Sequence, residues 1–371
     1  MKIVDIDPQH GRVTYVYVAV LLCSLLFVKM APACTGIRLI AEDGTVVYAR
    51  TLEFGVDLNS DVLIVPRGYA RTGTTPDGEN GAAWTSRYAS IGANGVGLPY
   101  LFDGLNEKGL AVGLFYFPTT AGYVRYQAAE ASRTIAPWQL GSWILENFAT
   151  VDEVKQNIGK VVVADVVFKQ WGFVPPVHLV VHDAAGKSIV IEYVEGKLHV
   201  HDNLIGVMTN SPVFDWHMTN LRNYVNFAMV NKPPIEVGGV KLTALGQGTG
   251  MLGMPGDFTP PSRFVRAVAY STSVLPSKTG AEAVLQAFHI LNNFDIPEGA
   301  ARAAEKDAHG NIVTDRTIWT SASDLKAKRF YFRTYENSQI RSVDLMRMPL
   351  DAKAITSISM KGPEAIKSLN P

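Results

Sequence analysis

An α+β fold dominated by antiparallel strands is what this sequence predicts, on three observations. In "CTGIRLIAEDGTVVYARTLEF" apolar and polar residues alternate on both sides of Asp43-Gly44, the pattern of two strands joined by a tight turn. "VHLVVHD", "KSIVIEYVEG" and "KLHVHDNLIGVMTN" then follow one another with short Gly-containing turns, which reads as a meander. Helical spacing is gathered into blocks instead of alternating with strands. Strands, helices and strands again argue against a doubly wound parallel sheet.

Element by element, "DVLIVP" (Asp61–Pro66) reads as a strand after the first hairpin. From Arg67 to Gly97 the chain is rich in Gly, Thr, Asn and Ser, so long loops are expected. "NEKGLAVGLFYFP" (Asn106–Pro118) is a turn entering a buried strand that Pro118 ends. "PWQLGSWILENF" has helical spacing after Pro137, and a second helix is expected to start at Thr150-Val151-Asp152. "SRFVRAVAYST" and "GAEAVLQAFHILNNF" are again helical. "TIWTSASDLKAKRFYFRTYEN" returns to strands and "QIRSVDL" closes the set. With no repeat and no evident linker, residues 34–371 read as one domain.

Composition bounds the function. The 371 residues are 47% hydrophobic and 18% charged, as in a soluble globular protein with a sizeable core. Lys+Arg and Asp+Glu both number 34, so no global field recruits nucleic acid or an anionic membrane. Residues 1–33 read as a signal peptide. A polar start carrying Lys2 and Arg12 leads into "VTYVYVAVLLCSLLFV", too short for a comfortable span, and Ala31-Pro32-Ala33 offers small residues for cleavage. A periplasmic or secreted location is therefore expected, with no stable membrane association after cleavage. An uncleaved anchor is one competing outcome and lipidation at Cys34 another, although the position three before the cysteine holds Ala31 where a lipobox has Leu.

Cysteine usage sharpens this. Cys23 leaves with the leader, so Cys34 is the lone thiol of the exported chain and has no internal disulfide partner. A cysteine made N-terminal by cleavage carries its own base: an α-amine with a pKa of about 7.7–8.0 can take the thiol proton.

Three other patterns point elsewhere and fail. "GTGMLG" matches a dinucleotide fingerprint at Gly248, Gly250 and Gly253, but Met254-Pro255-Gly256 and then Pro260-Pro261 follow where a helix should start. His178, His182, His199 and His201 lie close in sequence without the carboxylate or thiolate pattern that a metal site wants. The chain also lacks a G-x-S-x-G elbow. Neither a metal nor a cofactor is expected.

Five blocks, in order, resemble the choloylglycine hydrolase family of bile salt hydrolases, penicillin V acylases and related linear amidases. They are "CTGIRL…DGTVVYARTLEF", "FDGLNEKGLAVGLFYFP", "GVMTNSPVFDWHMTNLRNY", "GMPGDFTPPSRFVRA" and "WTSASDLKAKRFYFRTYEN". The resemblance implies the four-layer αββα sandwich of N-terminal nucleophile hydrolases, often assembled as a homotetramer. It implies Cys34 as nucleophile, Arg50 as the arginine beside the thiol, and Arg263 as the arginine completing the polar cluster. Asn210 matches the oxyanion-hole asparagine. Tyr116 falls where bile-salt members carry Asn and a penicillin V acylase branch carries Tyr, contributing its backbone N–H. Glu53 stands where many members hold the free amine with Asp, and its extra methylene leaves that role open.

The expected function is an exported amidase that cleaves an N-acylated small molecule through an acyl-thioester on Cys34. Phenoxyacetyl penicillins, glycine- or taurine-conjugated bile acids and N-acyl homoserine lactones compete as substrates, and Tyr116 leans towards the acylase side. Phe54, Trp84, Phe115 and Phe173 are candidates for apolar walls around the acyl group. The alternative is a secreted or lipidated binding protein of the same fold without turnover.

Overall fold

The computed structural model describes residues 4–6, 13–15, 33–306 and 310–370. The leader reading over residues 1–33 falls almost wholly outside these. Among the described residues, no helix is long and apolar enough to cross a membrane.

Two antiparallel sheets stack face to face. The first runs in the order β15 (Asn337–Asp344), β14 (Arg329–Thr334), β13 (Ile312–Asp324), β2 (Val46–Phe54), β1 (Cys34–Ile40), with β12 (Ala301–Lys306) also pairing with β13. The second runs β11 (Lys197–Asp202), β10 (Ser188–Val194), β9 (Val177–His182), β8 (Ala111–Tyr116), β7 (Asp103–Asn106), β6 (Ser90–Ala93), β3 (Asp61–Val65), β16 (Thr356–Ser359). Helices α1 (Leu140–Asn147) and α2 (Val151–Asn157) cover the outside of the second sheet, and α4 (Pro260–Ser273) and α5 (Gly280–Leu291) the outside of the first. That is an αββα sandwich.

Strand alternation builds the two cores. On β9, Leu179 and Val181 point to the helix side, while Val180 points between the sheets; on β10, Ile189 and Ile191 oppose Val190 in the same way. β2 is covered on both faces and all its residues are buried, including Arg50, Thr51 and Glu53. Charged groups in such a strand cost too much to serve packing alone, so they mark the site.

The hairpin, the meander and the helices from Val151, Pro260 and Gly280 lie where the sequence predicts. Thr150 and Thr279 cap α2 and α5 through the N–H groups of Glu153 and Glu282. Two details differ. Asp43-Gly44 is not a two-residue turn: Gly44 N–H closes on Ala41 O with Gly44 at φ +78, so Glu42-Asp43-Gly44 form a longer connection. The segment 67–97, expected as loops, holds β6 and the hairpin β4 (Ala70–Thr74) with β5 (Asn80–Thr85). Its glycines serve close approach, since a Cβ on Gly73 or Gly81 would meet the Thr134 carbonyl oxygen at 2.3 or 2.2 Å. Pro260-Pro261 open α4, where their missing N–H groups would have had no partner anyway. The short α3 (Phe214–Asn220) carries no legible sequence signal.

Candidate active site

The site is assembled by strand register. Cys34 pairs with Leu52 and Gly36 with Arg50, so the side chains of Cys34 and Arg50 are diagonal neighbours on one face. Arg50 Nη2 lies 2.9 Å from Cys34 Sγ. The guanidinium is fully buried, bonded to the carbonyls of Thr51 and Leu114, and lies 4.3 Å from the centre of the Phe115 ring.

Asn210 arrives by the same logic from the far side of the chain. Gly36 and Met208 exchange both backbone hydrogen bonds, at 2.8 and 3.0 Å. Two residues on in antiparallel register, Asn210 therefore meets Cys34. Its Oδ1 accepts from Cys34 N at 2.8 Å and from Arg263 Nη2 at 2.6 Å, which fixes the orientation of the amide. Nδ2 is left at the other end and gives one hydrogen to the Tyr116 carbonyl at 2.8 Å. Arg263, buried on α4, also donates to Cys34 O, Thr35 Oγ1 and Phe258 O.

Glu53 lies opposite Thr317, beside an irregularity of the β2–β13 ladder between Thr317 and Trp319. Its Oε1 accepts from Thr317 Oγ1 at 3.1 Å, and its buried Oε2 has no partner. Burial pushes this carboxyl up to about 7, against the pull of Arg263 and Arg50.

Two guanidinium groups beside a sulfur would by themselves favour a thiolate. Burial outweighs them: the Cys34 thiol is raised, although Arg50, the Tyr116 N–H and Arg263 each act to lower it. A thiol held in this way needs a base before it can attack. Ala33 still precedes Cys34 here, so Cys34 N is a peptide amide and not yet that base.

Cys34 lies in the wall of an apolar cleft. Phe54, Leu58, Val96, Leu98, Phe102, Tyr116, Trp138, Phe168 and Trp171 form most of its lining. Of the four wall candidates, Phe54 is in place. Phe115 lies under Arg50 instead, Trp84 donates to Glu146 in the outer core, and Phe173 stacks on Trp171 behind the lining. On the other side, a second cavity is lined by Ala33, Asn210, Arg263, Arg302 and Asp315 among others.

All six residues singled out from the sequence thus converge. Sequence reasoning missed Asp103, a buried carboxyl that accepts from Ser321 Oγ at 2.5 Å and interacts electrostatically with Arg50. Its signal was the charge in "FDGLNEKG", inside a strand that is otherwise buried. Of the histidines, His178 and His182 are buried on β9, and "GTGMLG" forms a turn of 3-10 helix at Thr249–Met251.

The sequence profile described as "Linear amide C-N hydrolases, choloylglycine hydrolase family" matches residues 34–358. A bile salt hydrolase/transferase of Clostridium perfringens is 34% identical over 91% of this chain and all of its own length. A penicillin V acylase of Pectobacterium atrosepticum is 27% identical over 81% of this chain and 77% of its own. Among solved structures, a single-residue variant of a conjugated bile acid hydrolase from C. perfringens superposes with a TM-score of 0.79 at 33% identity, over 91% of this chain and all of that one. Penicillin V acylase from Agrobacterium tumefaciens gives 0.69 at 26% identity, over 88% and 91%. With the profile matching residues 34–358 and the C. perfringens relative matched along its whole length, this chain belongs to the choloylglycine hydrolase family of linear amide C–N hydrolases.

Proposed function

We propose that this protein is an exported cysteine amidase that hydrolyses an N-acylated small molecule through an acyl-thioester on Cys34. The observation that carries the reading is the position of Cys34 Sγ. It sits 2.9 Å from Arg50 in the wall of an apolar cleft, with its backbone nitrogen on Asn210.

Removal of residues 1–33 converts Cys34 N into an α-amine at the same spot. The amine takes the thiol proton, and the sulfur attacks the substrate carbonyl to form a C–S bond. In this reading the Tyr116 N–H and the second hydrogen of Asn210 Nδ2 stabilise the oxyanion. The ammonium returns the proton to the nitrogen as the C–N bond breaks and the amine leaves. Water, deprotonated by the same amine, then cleaves the thioester and releases the acid. Arg263 holds the Cys34 carbonyl and Asn210 together throughout, and in this reading Glu53, whose buried Oε2 has no partner, receives the new ammonium.

The cleft accepts an apolar acyl or aryl group, and Tyr116 in its wall keeps penicillin V acylase-like and N-acyl homoserine lactone acylase-like substrates foremost. Conjugated bile salts are the second reading, favoured by the higher identity to the bile salt hydrolase relative. A panel of the three acyl classes, with mass spectrometry of trapped enzyme, tests this. An acyl adduct on Cys34 is expected with at least one class, and turnover without any adduct would remove the mechanism. Intact mass from the exported fraction should begin at an unmodified Cys34; a retained leader or an added lipid on active protein would overturn the role of the amine.

Self-association belongs to the same proposal. The arm between α3 and α4 exposes Val225, Val230, Ile235, Val237, Leu242 and Leu245, apolar side chains that a contact between copies would cover. Ile235→Glu with Leu242→Glu should lower the mass of the assembly in solution.

A further inference from the structure

Behind Asn210 lies a layer of buried polar side chains that the proposed chemistry does not use. His178 on β9 and Glu192 on β10 are both buried. His178 Nδ1 lies 3.1 Å from Glu192 Oε1, and its Nε2 lies 3.1 Å from the carbonyl oxygen of Thr209. His217 on α3 places its Nε2 2.8 Å from the carbonyl oxygen of Asn210 itself. Glu192 Oε1 also accepts from the Phe214 N–H, at 3.1 Å, where α3 begins. One carboxylate therefore ties down the first imidazole and the helix that carries the second.

We infer that Glu192, His178 and His217 are positioning residues: by holding the consecutive carbonyls of Thr209 and Asn210, they aim the Asn210 amide at Cys34. The inference rests on the reading of Asn210 as a group that acts at Cys34.

The chemistry of each contact fits. A carbonyl oxygen only accepts, so both Nε2 atoms must carry protons. For His217, burial pushes the imidazole down to about 4, which leaves a neutral ring with one proton to place. Its Nδ1 has no partner, so the proton belongs on Nε2, facing Asn210. Burial opposes ionisation of Glu192, yet hydrogen bonds from His178 and His201 outweigh it and bring the carboxyl down to about 2. His178 spans the two groups, its Nδ1 on the Glu192 carboxylate and its Nε2 on the Thr209 carbonyl. His201 closes the outer end, reaching Glu192 Oε2 at 3.5 Å and Asp215 Oδ1 at 3.2 Å. Aromatic faces set the ring planes: Phe117 stacks on His178 at 4.0 Å and Phe264 on His217 at 4.5 Å.

Geometry explains why such a hold matters. The Gly36–Met208 bridge anchors one end of the segment, and Ser211 Oγ donates to the Pro118 carbonyl at the other. The peptide groups of Thr209 and Asn210 lie between, and a rotation there swings the Asn210 side chain away from its partners. Misplacement by about 1 Å is enough to cost on the order of 10²-fold in rate.

His217→Phe keeps the ring and its stacking but removes the donor, and His217→Gln restores one. The test measures kcat and KM of the exported enzyme and the Asn210 Oδ1 to Cys34 N distance in crystals. His217→Phe is expected to lower kcat about 10- to 100-fold with KM nearly unchanged and to lengthen that distance beyond hydrogen-bond reach. His217→Gln should recover part of both. A folded His217→Phe with Asn210 in place overturns the inference, whether or not kcat falls. Should His217→Phe not fold, Glu192→Gln is read in the same way, with imidazole ¹⁵N shifts reporting the altered hydrogen bond at His178 Nδ1. Unchanged shifts and an unmoved Asn210 would overturn it. Full turnover by Asn210→Ala would sink the catalytic reading of Asn210 separately, because the distance measurement does not depend on it.

Discussion

Two cavities flank the candidate nucleophile, and their walls differ in kind. The cleft that includes Cys34 is built from aromatic and aliphatic side chains, with Glu53 as its one charged member. The cavity beyond Ala33 and Asn210 carries Arg263, Arg302 and Asp315. The cleft rewards burial of apolar area at about 25 cal/mol per Å² and discriminates weakly among apolar shapes. The polar cavity discriminates by charge. Under the proposed function this would divide the labour, with the acyl group held by its surface in the cleft and the departing amine by its charge in the polar cavity. The two halves of the substrate can then be probed one wall at a time.

The broadest test removes the boundary between the walls. Cys34→Ala should abolish thioester trapping and lower turnover by roughly 10⁴-fold or more, with the thermal midpoint nearly unchanged. Wild-type turnover in this variant would end the mechanism. Asn210→Ala comes next, with a loss in kcat on the order of 10²–10³, the usual effect of removing one oxyanion donor. A loss confined to KM would move Asn210 from chemistry to binding.

Trp171 packs against Phe54 with ring centres 5.6 Å apart, deep in the apolar wall. Trp171→Ala should raise KM about tenfold for aryl or long acyl groups, equally for every amine attached to them. An effect that followed the amine instead would break the division between the cavities.

Asp315 gives the opposite signature. Burial pushes its carboxyl up to about 6, with Arg263 pulling the other way, and its Oδ1 is unpartnered. As pH falls through about 6 the charge is lost, so amides of anionic amines should gain severalfold in kcat/KM relative to neutral ones. Asp315→Asn should flatten that dependence, and an unchanged profile would remove Asp315 from recognition.

The smallest effect concerns stability. Glu53 has its folded pKa raised to about 7. The folded chain, with Ala33 in place, therefore keeps a proton that the unfolded chain releases above about 4.3. Stability from this group is present below that value and declines as pH rises towards 7. Urea midpoints measured from pH 4 to 7 should show a shallower decline in Glu53→Gln. An identical slope would place the titrating group elsewhere.

Much of this arrangement was legible beforehand, unevenly and for physical reasons. Cys34 and Arg50 lie on neighbouring strands of one hairpin, but a two-residue turn at Asp43-Gly44 would put their side chains on opposite faces; the longer connection, with Cys34 opposite Leu52, brings them to one face. Asn210 and Arg263 lie 176 and 229 residues from Cys34, and only the resemblance to a family placed them there. The strands within 67–97 were hidden because glycines chosen for backbone contact look like glycines chosen for turns. The roles of Asp103, His178, Glu192 and His217 were not legible, because a buried ionisable group takes its meaning from partners that local pattern does not name.

By itself, the sequence determined the α+β class, the main hairpin, the capped helices and a single thiol placed where cleavage would give it a free amine. These follow from periodicity, capping and composition, which act over a few residues. The tertiary structure alone decided the balance at that thiol, where burial outweighs two guanidinium groups. It also decided the difference between the cavities and the hold of two imidazoles on the Asn210 segment. Desolvation and hydrogen-bond geometry arise between segments that meet only in the folded chain.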